Sequence, residues 1–374
     1  MSAPKTAQMI TTELINFGQS LWYDNISKQL VESGELKKLI SEYGVRGLTS
    51  NPTIFDNAIS KTSSYDELIK ASQGSSVEKI FEEIAVSDVG AAADVLRPVY
   101  ESSKTQDGYA SIEVSPTLSA DTEGSITEGI KLFDRLDRPN IMIKVPGTPE
   151  GIPAIKALLE RGINVNITLL FSVENYLEVA MTYIEALKKR LKKGEDVKNV
   201  RSVASFFVSR VDTLIDKKLG EIAAIGGAQA EEAKALMGKF GVANSKIAYK
   251  KFQDLFYGPA FSELKAAGAF VQRPLWASTG VKNPAYKDTL YVEELIGPDT
   301  VNTMPPDTVM AFADHGIASE AVTKGLDEAL TIEPRLKAVG IDVAACLKEL
   351  QEDGVKKFLE SFVSLNSTIK KKMG

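Results

Sequence analysis

Histidine and cysteine are almost missing from this sequence, with one of each, His315 and Cys346, in 374 residues. A single cysteine cannot close an internal disulfide, and a chain that does without them suits a reducing compartment, here the cytoplasm. Cys346 stands among Val343, Ala344, Ala345 and Leu347. That apolar setting favours a buried structural thiol over the electropositive surroundings a reactive thiolate needs. One histidine leaves zinc without its usual two or three imidazole ligands, so no metal is expected. His315 itself, in Phe312-Ala313-Asp314-His315-Gly316, reads as a helix end, where a cation complements the dipole and glycine stops the helix. Proton transfer then falls to carboxylates, lysine or tyrosine.

Other absences narrow the field further. The formal net charge is −6, and the one basic block is Lys370, Lys371 and Lys372, so nucleic-acid binding is not expected. No apolar run approaches the roughly 20 residues of a membrane span. Met1 to Thr12 lacks the charged and apolar regions of a secretory leader. Neither a dinucleotide fingerprint nor a Walker sequence is present, so no nucleotide cofactor is implied. No Pro/Gly/Ser-rich linker divides the chain, and we read residues 1–374 as one domain.

What the chain does have is alternation. Short apolar runs trade places with longer helical patterns from end to end, the mark of a parallel sheet with crossover helices. Eight strands are predicted: Ser20–Tyr23, Gly47–Thr49, Ala110–Val114, Ile141–Val145, Asn164–Thr168, Val203–Val208, Leu275–Ala277 and Val301–Met304. Eight is the number that closes a (β/α)8 barrel, an α/β fold. Ser75 with Glu78 predicts a capping box, Thr148 with Pro149 a second helix start and Ser172 a third. Further helices are expected over Ser245–Leu255 and Gly258–Ala266, and from about residue 307 onward, packing on the barrel.

Barrel chemistry sits at the C-terminal ends of strands. The polar residues ending the eight runs are Asp24, Asn51, Glu113, Lys144, Asn166 with Thr168, Ser205, Ser278 and Asn302. Lys144 is central. It follows Ile141-Met142-Ile143 in a run where lysine is rarely buried without a partner or a task. An amine held out of water is a nucleophile toward carbonyls, whereas the plain alternative is a lysine snorkelling out at a strand end. Asp24 and Glu113 could supply acid–base catalysis. Asp24 could equally cap a helix running on from Asn25. Glu113 is harder to explain structurally, since glutamate is disfavoured inside a strand. Arg210, Ser278 and the amides around Gly280, with Lys282 close behind, would suit a phosphate monoester after strand seven.

Three segments resemble signatures of transaldolases. Gly47-Leu48-Thr49-Ser50-Asn51-Pro52-Thr53-Ile54-Phe55 is similar to their N-terminal motif, Ile141-Met142-Ile143-Lys144-Val145-Pro146 to their Schiff-base lysine motif, and Asn164 to Ser172 to their strand-five motif. They fall in the family's order. The resemblance implies a circularly permuted class I aldolase barrel with the lysine on strand four, acting without a cofactor on sugar phosphates; the sequence leaves monomer and homodimer both open. It implies transfer of dihydroxyacetone from sedoheptulose 7-phosphate to glyceraldehyde 3-phosphate, giving erythrose 4-phosphate and fructose 6-phosphate. Asp24 would handle the substrate hydroxyl proton, and Glu113 with Thr168 a water relay at the imine. Asn51, Asn166 and Ser205 would hold the dihydroxyacetone hydroxyls, and Arg210 and Ser278 the phosphate, with Phe207 shaping the pocket. Lys282 stands near a position where family members carry arginine. The rival functions are a fructose-6-phosphate aldolase, whose members are shorter and use tyrosine in place of Glu113, and a non-catalytic sugar-phosphate-binding barrel.

Overall fold

Eight parallel strands form a closed barrel in chain order: β1 Gln19–Tyr23, β2 Val45–Leu48, β3 Tyr109–Glu113, β4 Ile141–Pro146, β5 Val165–Leu170, β6 Ser202–Phe207, β7 Arg273–Ala277 and β8 Thr300–Met304. The computed structural model describes residues 7–72 and 74–373. Met1 to Thr6, within the stretch read above for a leader, lie outside the described residues. All eight strands predicted from the sequence are present, and no end moves by more than two residues. Among the described residues, no helix is long and apolar enough to cross a membrane.

Strand alternation sorts the side chains into an outer and an inner set. On β4, Ile141, Ile143 and Val145 pack outward with the large core under the helices, while Met142 joins the barrel interior. The same period sends Lys144 inward. The middle of the barrel is filled by Trp22, Tyr109, Met142, Val203, Leu275 and Val301. Trp22 is fully buried, and Gly47 opposite it makes room: a Cβ there would stand 2.5 Å from the indole. Below this layer the buried carboxylate of Asp107 plugs the floor. It accepts from Ser20 Oγ (2.7 Å), Trp22 Nε1 (3.2 Å) and Arg46 Nε (2.7 Å), and pairs with Arg273 Nη1 (3.1 Å). Burial pushes its acidity down, but Arg273 and Arg46 outweigh that and hold it ionised below the usual carboxylate range.

Two helix starts differ from the sequence reading. Ser76, not Ser75, caps the long helix Val77–Ser102, accepting from Lys79 N, because Ser76 is the residue with extended backbone. Thr148 Oγ1 does accept from Gly151 N (3.1 Å), but the helix begins at Gly151, leaving Pro149 in the preceding turn. Ser172 caps Val173–Lys192 as expected. The helices after β8 run Pro306–His315, Leu326–Ala338 and Val343–Lys372. The last of these crosses the C-terminal mouth of the barrel. Gln351 on it donates to Leu169 O (3.1 Å) and to Asn175 Oδ1 (2.9 Å), tying it to the end of β5. His315 ends its helix, exposed, between Asp288 and Asp314 and remote from the barrel mouth's polar cluster.

Candidate active site

The C-terminal mouth of the barrel holds a cavity of about 210 Å³ lined by residues from seven strands or their following loops. Lys144 enters it from β4. Its ammonium is buried and donates to Ser50 O at 3.0 Å. The Phe358 ring, carried in by the helix Val343–Lys372, stands 5.5 Å from Nζ. A buried ammonium that donates to a backbone carbonyl and faces an aromatic ring is not the snorkelling lysine of a strand end.

Two carboxyls flank it. Glu113 is in register with Lys144 across the β3–β4 pair, its Oε1 3.8 Å from Nζ. Neither Glu113 oxygen has a hydrogen-bond partner, and the side chain is only 7% exposed. Burial raises its pKa to about 7, with Lys144 opposing and Asp24 adding to the shift. Asp24 is the second carboxyl. It accepts from Thr49 Oγ1 at 2.6 Å, and Thr49 in turn meets Thr303 Oγ1 at 2.7 Å. Burial raises its pKa too, against Lys144, Thr49 and Arg210, which lower it. Asp24 is not a helix cap, because Ser27 takes that place, accepting from Leu30 N.

The remaining predicted residues divide by position. Asn51, Thr168, Ser205, Phe207, Arg210, Ser278 and Lys282 all line the cavity. Thr168 Oγ1 is buried with no partner, so with Glu113 it leaves three orphaned oxygens beside the amine. Buried orphans of this kind mark places for water or a ligand. Asn51 caps Pro52–Lys61 through Oδ1, accepting from Ile54 N at 3.0 Å, which leaves its amide nitrogen unspent. Arg210 lies in the first turn of Ser209–Ile225, beside the Phe207 ring (5.1 Å), with no hydrogen bond or ion pair to another described residue. A free guanidinium at a helix N-terminus is an anion site in waiting. Ser278 stands opposite, in the left-handed region at φ 56°, its hydroxyl 2.9 Å from Ser209 Oγ. Lys282 is exposed at the rim.

Two residues fall elsewhere. Asn166 points into the barrel but lies beneath the cavity floor, fully buried, where it donates to Ser111 Oγ (3.1 Å) and accepts from Ser205 Oγ (2.7 Å). It orients Ser205 rather than lining the cavity. Asn302 shares the face of Met304, which packs outward, and accepts from Thr279 Oγ1 (2.9 Å). Its neighbour Thr303 is the cavity residue of β8. Counting alternation from Val301, an interior residue, selects Thr303. Thr49 and Phe358 were also missed. Thr49 directly follows β2 and was passed over for Asn51, whereas nothing in the local pattern around Phe358 ties it to the barrel mouth. Among the described residues no three His, Cys, Asp or Glu side chains gather as a metal-binding group.

The chain's similarities to known proteins bear on this arrangement. The family described as Transaldolase/Fructose-6-phosphate aldolase matches residues 21–369. A protein of Trichodesmium erythraeum named "Transaldolase" is 44% identical over 98% of both chains. One of Nostoc punctiforme named "Transaldolase 2" is 44% identical over 96% of this chain and 97% of its own. One of Mycolicibacterium paratuberculosis, also named "Transaldolase", is 46% identical over 96% and 95% respectively.

Proposed function

The chain belongs to the transaldolase/fructose-6-phosphate aldolase family, and from that membership we propose how its residues divide the work. It is an enzyme that transfers aldehyde or ketone residues between sugar phosphates, a transaldolase. The donor is sedoheptulose 7-phosphate, which gives its dihydroxyacetone unit to glyceraldehyde 3-phosphate and leaves erythrose 4-phosphate. Fructose 6-phosphate is the other product.

The observation that carries the residue assignment is the buried amine of Lys144 between two protonatable carboxyls. Lys144 attacks the donor carbonyl. The carbinolamine loses water to form the Schiff base, and Glu113, which exchanges its proton near neutral pH, moves protons through a water held with Thr168. Asp24 takes the proton of the donor's C4 hydroxyl as the C3–C4 bond opens, and the electrons of that bond settle into an enamine on Lys144. Thr49 holds Asp24 in line for this step. The aldehyde acceptor then reverses the sequence. Asn51 and Ser205 bind the dihydroxyacetone hydroxyls, Asn166 fixes Ser205, and Arg210 with Ser278 binds the phosphate while Lys282 adds charge at the rim. Phe207 walls the pocket.

We infer that the enzyme works as a monomer or as a homodimer. We assign the reaction to the cytoplasm, without nucleic-acid partner, metal or cofactor, and read the chain as one barrel domain with its terminal helices packed on it. The related lyase activity, release of free dihydroxyacetone, is disfavoured by Glu113 and by the near-equal lengths of this chain and its relatives named transaldolase. Borohydride reduction in the presence of fructose 6-phosphate, followed by peptide mapping, tests the scheme. A stable adduct on Lys144 is expected, and an adduct on another lysine, or none, overturns it.

A further inference from the structure

Behind Glu113, on the side away from the barrel mouth's cavity, lies a second and larger one of about 400 Å³. It opens between the helix Val77–Ser102, the loop after β3 and the helix Val343–Lys372. Its body is aromatic. Phe55, Phe81 and Phe362 meet edge to face, with centroid distances of 5.3 and 5.8 Å. Its charges are all of one sign: Glu78, Glu82, Glu113 and Glu128 line it, and no lysine or arginine does. Glu82 is neutralised from outside by Lys131 and Arg135, and Glu128 accepts from Ser115 N. Glu113 is different, since both its oxygens are buried and unpartnered. Asn366 Oδ1, on the same lining, is a third buried acceptor without a donor. Three acceptors without a hydrogen-bond donor, an aromatic wall and no cation in the cavity lining, the nearest being Lys144 at 3.8 Å from Glu113, describe a receptor for a group that only donates. An ammonium is that group, since it carries N–H donors, no acceptor, and a charge that aromatic faces attract.

We propose that this cavity binds a small organic ammonium ion with an aromatic or apolar body, its N–H donated to Glu113 and its body held by Phe55, Phe81 and Phe362. The site adjoins the sugar-phosphate cavity: Asn51 lines both, and Glu113 stands 3.8 Å from Lys144. An occupant therefore holds the Glu113 carboxylate ionised and occupied. On the role given to Glu113 above, that stops its proton relay while leaving Arg210, Ser205 and Ser278, which line only the sugar-phosphate cavity, free for the sugar phosphate.

The probe is N,N-dimethyl-2-phenylethylamine, a tertiary ammonium that keeps one N–H and cannot condense with aldehyde substrates. Its binding to the full chain is measured by calorimetry at about pH 8, where an aliphatic amine is protonated, against 2-phenylethanol as the neutral counterpart. The amine should bind about tenfold to hundredfold tighter than the alcohol, the worth of a charge-assisted hydrogen bond. Glu113→Gln should erase most of that difference. Val363→Trp, at an exposed position on the cavity's edge, should weaken both compounds while leaving borohydride trapping on Lys144 intact. Equal binding of amine and alcohol, or amine binding indifferent to both substitutions, overturns the proposal. Saturating fructose 6-phosphate should not relieve inhibition by the amine. Binding without inhibition would uphold the site and overturn the catalytic role of Glu113 instead, so the two failures are told apart.

Discussion

Glu113 Oε1 and Lys144 Nζ sit 3.8 Å apart on paired strands, too far for a direct hydrogen bond and near enough for one water to bond both. A relay through water needs that gap. Glu113→Gln keeps the shape and removes the proton transfer, so the rate of adduct formation with fructose 6-phosphate should fall by roughly 10²–10⁴-fold. Rapid-quench borohydride trapping reads this directly, and a wild-type rate of trapping would remove Glu113 from the imine step.

Lys144→Met replaces the amine with an apolar chain of similar length. Folding should survive and turnover should vanish, since the other lysine on the cavity wall, Lys282, stands exposed at the rim, where its amine is not held out of water. Circular dichroism and a coupled assay suffice, and residual turnover well above background would sink the mechanism.

Asp24→Asn should fail later than Glu113→Gln. The Schiff base forms, the C3–C4 bond stays closed, and the trapped adduct keeps its full six-carbon mass while little glyceraldehyde 3-phosphate appears. Single-turnover mass spectrometry distinguishes the two variants. Cleavage of the donor at the wild-type rate would show that Asp24 does not take the hydroxyl proton.

Arg210→Ala should raise the Michaelis constant for phosphorylated donors about tenfold to hundredfold, the value of a charge-assisted contact of roughly 1.5–3 kcal/mol. Reaction with unphosphorylated dihydroxyacetone should change much less. Equal losses on both would make Arg210 a support for Phe207, 5.1 Å away, rather than a phosphate ligand.

The titration of Glu113 has a sign that stability can check. Its pKa is about 7 in the folded protein against an ordinary 4.5, so the folded state holds the proton more tightly. The stability this confers is complete below about pH 4.5 and is lost as pH rises through about 7. Glu113→Gln does not titrate. From pH 5 to pH 8 the variant should therefore gain on the wild type, by on the order of 3 kcal/mol. Urea unfolding at the two pH values measures this, and a constant difference between the proteins would mean the carboxyl is better solvated than its burial implies.

The barrel was legible because each strand is an apolar run with an unmistakable neighbour on either side, and the position of Lys144 followed from counting. The site was legible where a strand delivers its own residue, as at Lys144, Glu113, Thr168 and Ser205. It was not legible where alternation decides between neighbours. Asn302 and Thr303 are both polar, and only the inward setting of Val301 separates them. Nor could local pattern place Phe358, whose contact with the Lys144 amine depends on how a helix beyond the barrel crosses its mouth. Asn166 shows a third limit: the direction of a side chain can be read from the strand period, but its depth below a cavity floor cannot.

The helix that carries Phe358 also sets an order of events during synthesis. Every strand of the barrel, and with it the amine of Lys144, leaves the ribosome before Phe358 does. The pocket wall that faces the amine is therefore completed only after all eight strands have been made, by a helix that has to find the mouth of the barrel from outside it.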